Sequence, residues 1–269
     1  MTANHRLSIV ISTYNCAGTL QACLDSIFEQ TYPGIEIVIA DGGSTDGTLA
    51  VIEANSARIG AWKSAPDSGI YDAWNTALKM VTGDWVSFLG ADDTLDSPDC
   101  IARAMAALSD VPETTMIAYG SILLVRGNGS GVELGTPWPE ARRRIHAEMS
   151  IPHPGTFHRR QLFDRLGGFD TRLQIAGDYK LIAQSLELAD PVFLDGVRVV
   201  SMQAGGKSEL RRNRVAALLE VRRVQAELGN RISPLWVWAM AKGVAWFLLT
   251  RAAEFPQRAG LVRARRHQS

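Results

Sequence analysis

The chain has 269 residues, of which 46% are hydrophobic, which suits one large α/β domain or two modest ones and excludes a disordered segment. Lys and Arg total 28 and Asp and Glu also total 28, so bulk charge gives no reason to expect nucleic acid as a partner. The three cysteines lack C-x-x-C spacing, which argues against a disulfide framework and against a cysteine-based zinc site.

Strands and helices are predicted to alternate through the first hundred residues. Apolar runs that end at polar loops predict the strands, and apolar side chains at helical spacing predict the helices between them. The predicted strands are 7–12, 35–40 and 85–89, and the predicted helices are 20–28, one opening near 49, 70–81 and 101–108. This order predicts a mainly parallel sheet flanked by helices.

The second half of the chain has a different pattern. Two apolar runs, 116–125 and 132–134, flank a glycine-rich segment and predict a β-hairpin. A helix is predicted over 175–188, and the chain is predicted to be helical from 208 onward.

Polar residues follow three of the predicted strands. They are Thr13 to Asn15, Asp41, and the pair Asp92 and Asp93. Ligands of parallel sheets bind beyond the carboxyl ends of the strands, so we expect these residues to line one crevice.

Asp41 is followed by two glycines and then by Ser44, Thr45 and Asp46. The last three residue types are typical of a helix N-cap. The glycines would also let the backbone approach a nucleotide closely, and the Asp41 carboxylate could accept a hydrogen bond from a pyrimidine N–H. On the residues alone, both interpretations stay open.

Asp92 and Asp93 put two like charges directly after a buried strand. Uncompensated burial of two carboxylates is costly, so the pair either lies on a solvated loop or is held by a cation. Its position at a strand end favours Mg²⁺ or Mn²⁺, which bind carboxylate and phosphate oxygens.

Two further candidates lie in the second half. Asp178 begins a predicted helix, where a carboxylate either complements the helix dipole or serves as a general base. His153 lies between two prolines, and neither it nor His158 has the neighbours that a zinc ligand needs.

The C-terminal segment combines an apolar run with a basic tail. Residues 235–249 are apolar on nearly every face except at Lys242, a run too short to span a bilayer, which takes about 20 residues. The basic residues that follow are Arg251, Arg258, Arg263, Arg265 and Arg266. Two alternatives stay open: membrane-surface contact through 235–266, or a helix buried against the domain or against a second subunit in a homodimer.

The first twelve residues contain no apolar stretch long enough for a signal peptide ahead of the first strand. Together with the cysteine usage, this predicts a cytoplasmic protein. A membrane-interfacial C-terminal helix would place it at the inner face of the plasma membrane.

Six short stretches carry a resemblance to a known family through their order and spacing. They are Ile11–Asn15, Ile39–Thr48, Asp67–Asn75, Gly83–Val86, Leu89–Asp93 and Gly177–Tyr179. With them, roughly residues 5–190 resemble the inverting family 2 glycosyltransferases, and in particular the bacterial enzymes that build exopolysaccharides or glycolipids.

The resemblance implies an α/β protein of the GT-A nucleotide-diphospho-sugar transferase fold. This fold is Rossmann-like, with a mixed, mainly parallel sheet flanked by helices, and here it would carry a helical C-terminal extension. The catalytic domain would cover 1–205, with a nucleotide-binding half over about 1–110 and an acceptor half over about 111–205, and the extension would cover 206–269.

Site residues are also implied by position. The donor-binding residues would be Thr13, Tyr14, Asn15, Asp41, Asp67, Gly69, Asp72 and Asp92. Asp93 would be the main metal ligand, with Asp92 beside it, and Asp178 would be the catalytic base. His153 and Tyr179 would lie on the acceptor side. The chain departs from the family at Ala91, where an Asp-any-Asp triplet often begins, and at Gly177, where relatives often have Glu or Ala.

The implied reaction transfers a sugar from a nucleotide-diphosphate sugar, with a UDP-sugar favoured, to a hydroxyl of a glycan or lipid-linked acceptor with inversion. Mn²⁺ or Mg²⁺ would be the cofactor, and the product would enter cell-surface polysaccharide or glycolipid biosynthesis. Two alternatives stay open, a sugar nucleotidyltransferase and a non-catalytic sugar-nucleotide-binding subunit. The chain lacks the Gly-rich, Lys-bearing first loop typical of the nucleotidyltransferases.

Overall fold

The computed structural model describes residues 5–203 and 211–245. Of these, 5–145 with 149–203 form one compact unit, and 146–148 with 211–245 form a second. The predicted boundary between 205 and 206 lies outside the described residues. So do residues 246–249 of the apolar run and the five arginines of the basic tail.

Strands and helices alternate through the first half of the first unit, which confirms the predicted order. In chain order the elements are β1 (Leu7–Thr13), α1 (Leu20–Phe28), β2 (Ile35–Asp41), α2 (Thr48–Ala54), β3 (Ala61–Ser64), α3 (Ile70–Leu78), β4 (Trp85–Gly90), β5 (Thr94–Leu95) and α4 (Cys100–Leu108).

The second half of this unit contains the predicted hairpin and an irregular mixture of short elements. They are β6 (Ile117–Val125), β7 (Gly131–Leu134), α5 (Trp138–Ala141), β8 (Thr156–Arg159), α6 (Gln161–Leu166), α7 (Gly177–Ser185) and β9 (Val192–Gln203). The antiparallel pairing of Ile122 with Leu134 confirms that β6 and β7 form a hairpin. The sequence pattern does not predict β3, β5, β8 or β9.

The nine strands of the described residues form one mixed sheet in the order β3-β2-β1-β4-β8-β6-β9-β5, with β7 paired to β6. The strands β3, β2, β1 and β4 are parallel. β8 then runs antiparallel to both β4 and β6, whereas β6 and β9 are parallel to each other. The carboxyl ends of the four parallel strands therefore lie along one edge.

The core of this unit is centred on β1 and β4. Ile9, Val10 and Ile11 are successive residues of β1, and all three are buried, so both faces of the strand are covered. Burial on both faces explains why the sequence here is a continuous apolar run and not an alternation of apolar and polar residues.

Two predicted helices end earlier than expected. α3 ends at Leu78 and not at 81, because Thr82 already donates to the Glu36 carboxylate through its N–H and its hydroxyl, both at 2.8 Å. α7 covers Gly177–Ser185 and not 175–188, since the N–H of Leu188 bonds to the carbonyl of Ser185, a three-residue spacing that closes a turn.

The described residues of the C-terminal segment form two helices, which agrees with the helical prediction for the chain from 208 onward. α8 covers Arg211–Glu227, Gly229 has a positive φ of 75°, and residues 234–245 form a further helix, α9. Among the described residues, none of the helices is long and apolar enough to cross a membrane.

Candidate functional site

Three of the predicted site segments lie at the same edge of the sheet. Thr13, the last residue of β1, is directly opposite Asp41, the last residue of β2. Ser12 is likewise opposite Gly90, where β4 ends just before Asp92 and Asp93. The prediction that these strand ends converge is confirmed.

Asp41 is buried and its carboxylate accepts five hydrogen bonds. Oδ1 accepts from the hydroxyls of Thr13 (2.8 Å) and Ser44 (2.5 Å), and Oδ2 accepts from the hydroxyl of Ser64 (2.7 Å) and from the N–H groups of Gly43 and Ser44. Burial raises the pKa of Asp41, but these hydrogen bonds outweigh it and leave the pKa below its ordinary value. The carboxylate therefore joins the ends of β1, β2 and β3, and donor binding by Asp41 stays a prediction.

Asp41→Asn should lower the free energy of unfolding by about 2–4 kcal/mol at pH 7, because the amide NH2 that replaces one carboxylate oxygen would face donors and cannot accept from them. The depressed pKa of Asp41 means that its stabilisation is present above the unfolded pKa of about 4 and is lost as the pH falls further. The difference between the two proteins should thus shrink in acid. Urea unfolding at several pH values measures it.

Asp46→Asn is the matched control. Asp46 lies on the same loop and also accepts from a hydroxyl and from backbone N–H groups, at Thr48 and Ala17, but it is fully exposed. Equal losses of stability in the two variants would contradict the structural role of Asp41.

The loop after β1 is held to the loop after β2 by Asn15. Asn15 adopts a left-handed conformation (φ 50°), its N–H donates to the Ser44 hydroxyl, and its Oδ1 accepts from the Thr45 N–H, both at 2.9 Å. The neighbouring Tyr14 side chain is 67% exposed, which is unusual for an aromatic ring beside a buried strand. Tyr14 is thus available to stack on a ligand at this edge.

Asp67, Gly69 and Asp72 lie in the turn before α3 and in its first turn. Asp67 Oδ1 accepts from the N–H of Gly69 at 2.9 Å, and Asp72 Oδ2 accepts from the N–H and the hydroxyl of Ser68. The Asp67 carboxylate also packs against Gly42, next to Asp41. These three predicted donor-binding residues therefore belong to one loop that reaches the strand ends.

Asp92 and Asp93 direct their carboxylates to the same place. A Cβ placed on Gly90 would lie 3.0 Å from Asp92 Oδ1 and 2.6 Å from Asp93 Oδ2, so both oxygens occupy the space beside this glycine. Asp92 is exposed and Asp93 is buried. Burial, and then the charge of Asp92, raise the pKa of Asp93 to about 7.

This pair fits a hard divalent cation. It offers oxygen ligands, it has one exposed side, and a cation would offset the repulsion that raises the pKa of Asp93. Among the described residues, no group of three or more His, Cys, Asp or Glu side chains could hold a metal. Waters or ligand oxygens would therefore have to complete the coordination of a cation at Asp92 and Asp93.

Asp178 lies in the first turn of α7 and is half-buried. Its Oδ1 accepts from the N–H of Tyr179 at 2.8 Å and lies 3.3 Å from the Tyr71 hydroxyl, which itself donates to the Ile175 carbonyl at 2.6 Å. A Cβ on Gly177 would lie 2.8 Å from the Tyr71 ring. The glycine that departs from the family pattern thus makes room for this tyrosine beside Asp178.

Two residues of α3, Tyr71 and Asn75, hold the segment that precedes Asp178 in the chain. Besides Tyr71, Asn75 donates from Nδ2 to the Phe169 carbonyl (2.8 Å) and accepts from the Phe169 N–H at Oδ1 (2.7 Å). Both are site-building residues that sequence reasoning leaves without a role. Their spacing on one face of α3 is the signal that could have identified them.

His153 and Tyr179, predicted on the acceptor side, are buried. The His153 ring stacks on Trp74 and Phe88, with centroid distances of 5.0 and 5.3 Å, and burial lowers its pKa well below the ordinary value. The Tyr179 hydroxyl donates to the Ile145 carbonyl at 2.6 Å. Both side chains have packing roles in the first unit, and acceptor contact by either stays a prediction.

Comparisons with known proteins identify the family and the fold. The sequence model of Glycosyl transferase family 2 matches residues 8–165, which include Asp41, Asp93 and the start of α3. A PGL/p-HBAD biosynthesis glycosyltransferase of Mycobacterium bovis is 35% identical over 178 residues, which is 64% of this chain. The match spans 66% of that protein, just under two thirds of its length.

Two solved structures share the fold. One is S. aureus TarS 1-349 in complex with UDP-GlcNAc, with a TM-score of 0.66, 19% identity, and coverage of 89% of this chain and 71% of that one. The other is the mannosyltransferase PcManGT from Pyrobaculum calidifontis in complex with GDP-Man and Mn²⁺. It has a TM-score of 0.63 and 20% identity, and the match covers 96% of this chain and 80% of that one.

These neighbours confirm the predicted fold, a GT-A-like mixed sheet flanked by helices and followed by a helical part. The family model covers more than half of the chain, and it covers the strand ends at which the acidic residues meet. This chain belongs to glycosyltransferase family 2.

Proposed function

We propose that the protein transfers a sugar from a nucleotide-diphosphate sugar, by preference a UDP-sugar, to a hydroxyl of a glycan or lipid-linked acceptor with inversion. The observation that carries the proposal is the convergence of Asp92 Oδ1 and Asp93 Oδ2 beside Gly90, at the carboxyl end of a central parallel strand. Such a pair suits a diphosphate substrate that arrives with a divalent cation.

The donor side is assigned to the loops at the ends of β1 and β2 and at the start of α3. Tyr14 offers an exposed ring for a nucleobase, and the Asp67 to Asp72 turn lies against Gly42 of the adjacent loop. Asp92, being exposed, would accept from ribose hydroxyls. In this proposal the buried Asp41 acts mainly by holding these loops in place.

Asp93 would be the principal ligand of Mn²⁺ or Mg²⁺, with Asp92 beside it. When bound, such a cation neutralises the negative charge that develops on a departing nucleoside diphosphate. The PcManGT complex with GDP-Man and Mn²⁺ supports this assignment by fold similarity.

Asp178 would act as the general base. Its carboxylate would accept the proton of the acceptor hydroxyl as that oxygen attacks the anomeric carbon from the face opposite the leaving diphosphate. Tyr71 would orient this carboxylate, because its hydroxyl touches Asp178 Oδ1 and also holds the preceding turn through Ile175. Burial and the charge of Asp178 raise the pKa of Tyr71, so the phenol keeps its proton.

The setting we propose is glycolipid or cell-surface polysaccharide biosynthesis at the inner face of the plasma membrane. The name of the mycobacterial relative, a PGL/p-HBAD biosynthesis glycosyltransferase, supports the glycolipid branch. The TarS complex with UDP-GlcNAc supports a uridine donor.

The full chain should release nucleoside diphosphate from one or more UDP-, GDP- or dTDP-sugars in the presence of Mn²⁺ or Mg²⁺, and chelation should stop the release. The same donor should raise the thermal midpoint, because a ligand that binds only the folded state stabilises it. Chromatography of the released nucleotide and a thermal-shift screen measure the two effects.

Other outcomes would point to the alternatives. Release of pyrophosphate from a nucleoside triphosphate and a sugar 1-phosphate would identify a nucleotidyltransferase. Donor binding without turnover on any extracted lipid or glycan would identify a non-catalytic subunit.

A further inference from the structure

α9 packs on α8 through one narrow face. The indole N–H of Trp236 donates to the Leu218 carbonyl at 2.8 Å, and Ala239 is buried. A Cβ on Gly243 would lie 3.6 Å from Leu218 and 3.7 Å from Val215, which is ordinary contact. Trp236, Ala239 and Gly243 recur at helical spacing, so they mark the side of α9 that is already covered.

The remaining surface of α9 is exposed and mainly apolar. We call it the outer face, and its large side chains are Leu235, Val237, Trp238 and Val244. Trp238 is 62% exposed and Val237 is 52% exposed. A surface helix normally presents several polar residues to solvent, so an exposed apolar face that carries a single lysine indicates an interaction surface.

Lys242 is the one charged residue within 234–245, and helical spacing places it on the outer face, four positions after Trp238 and seven after Leu235. Its ammonium lies 4.0 Å from the centroid of the Trp238 ring. A cation beside an exposed tryptophan is the pairing expected of a helix that lies in the headgroup region of a bilayer, with its apolar face towards the acyl chains.

The charge of the chain is strongly divided. Residues 205–269 contain 13 Lys and Arg and 4 Asp and Glu, which gives a net charge of +9. The whole chain has 28 of each class, so residues 1–204 contain 15 Lys and Arg and 24 Asp and Glu, which gives a net charge of −9. An anionic lipid surface complements the basic segment.

We propose that the outer face of α9 docks in the interface of an anionic lipid bilayer, with Trp238 at the level of the headgroups. Docking would involve the C-terminal unit alone, so it does not depend on the proposed sugar transfer. Docking would hold the protein at the surface where a lipid-linked acceptor resides.

The full chain should sediment with vesicles of phosphatidylcholine and phosphatidylglycerol, and much less with phosphatidylcholine alone. High salt should weaken binding, because it screens the attraction to the headgroups. Leu235→Ser combined with Trp238→Ser should lower the partition coefficient at least about tenfold, since two large side chains would no longer enter the interface.

Trp62→Ser is the matched control, because Trp62 is a partly exposed tryptophan of β3 in the first unit, and its removal should leave sedimentation unchanged. Circular dichroism and thermal unfolding check that the variants fold. Should the double variant not fold, Val237→Ser combined with Val244→Ser removes apolar side chains from the same face.

Three results would overturn the proposal. One is no binding of the full chain to anionic vesicles. Another is equal binding by the folded outer-face variants and by Trp62→Ser. The third is a dimer that dissociates on outer-face substitution in a protein that ignores vesicles, since the face would then be a contact between subunits.

Discussion

Asp178→Asn should reduce kcat by about 10²- to 10⁴-fold, because an amide cannot accept the proton of the acceptor hydroxyl. The loss should appear in turnover and not in donor binding, since Asp178 lies on α7 and the donor loops follow β1, β2 and Ser64 of β3. Kinetics with saturating donor and acceptor, alongside calorimetric donor binding, separate the two quantities.

Asp164→Asn is the control for this substitution. Asp164 is exposed and lies in the first turn of a helix, α6, so the same change removes the same charge from a comparable position. It should leave turnover unchanged. An Asp178→Asn variant that keeps wild-type turnover would remove Asp178 from the mechanism, whatever the outcome of the donor assay.

The parallel half of the sheet was predictable because burial there follows a simple rule. Strands covered on both faces are continuous apolar runs, and β1, β2 and β4 each follow this pattern and end at a polar loop. Parallel pairing then places those loops at one edge, which predicts the meeting of Thr13, Asp41 and Gly90.

The strands missing from the prediction do not follow that rule. β3 is a short edge strand in which Trp62 and Lys63 are exposed, so it has no apolar run. β9 is 12 residues long, but exposed Asp195 and Gly196 interrupt it, and its register with β6 shifts nearby. Gly196 has a positive φ of 70°. In a sequence, a glycine at such a position indicates a break in a strand, so the pattern does not predict β9.

The strand-end positions of Asp41, Asp92 and Asp93 were predictable from the sequence, whereas the contact partners of Tyr71 and Asn75 were not. Tyr71 and Asn75 contact a segment about a hundred positions away. Their four-residue spacing marks one face of α3, but it does not reveal which segment that face contacts. The need for a glycine at position 177 becomes clear only from the structure, where the Tyr71 ring occupies the space that a Cβ would fill. Tyr179 illustrates the reverse case, since its residue type suits ligand contact but its hydroxyl is bonded within the fold.

Asp93→Asn should lower kcat/KM at least about 10²-fold and abolish the stabilisation of the protein by Mn²⁺ in the presence of UDP. The reason is that the variant loses the ligand assigned to the cation and, with it, several kcal/mol of transition-state stabilisation. Kinetics and metal-dependent thermal shifts test both effects. Normal Mn²⁺ stabilisation in the variant would contradict the assignment of Asp93 as the main ligand.

Without metal, the same substitution should make the protein more stable, by up to about 4 kcal/mol at pH 8. Burial and Asp92 raise the pKa of Asp93 to about 7, so the folded state loses stability as the pH rises from the unfolded value of about 4 towards 7. The gain of Asp93→Asn over wild type should therefore be absent below pH 4 and reach its plateau above pH 7.

Asp96→Asn is the control, and its expected effect on stability has the opposite sign. Asp96 is similarly buried, but it pairs with Arg198 at 2.7 Å, so this substitution should destabilise the fold. A metal-free Asp93→Asn protein that is less stable than wild type at pH 8 would mean that burial and the charge of Asp92 do not raise the pKa of Asp93 in the fold.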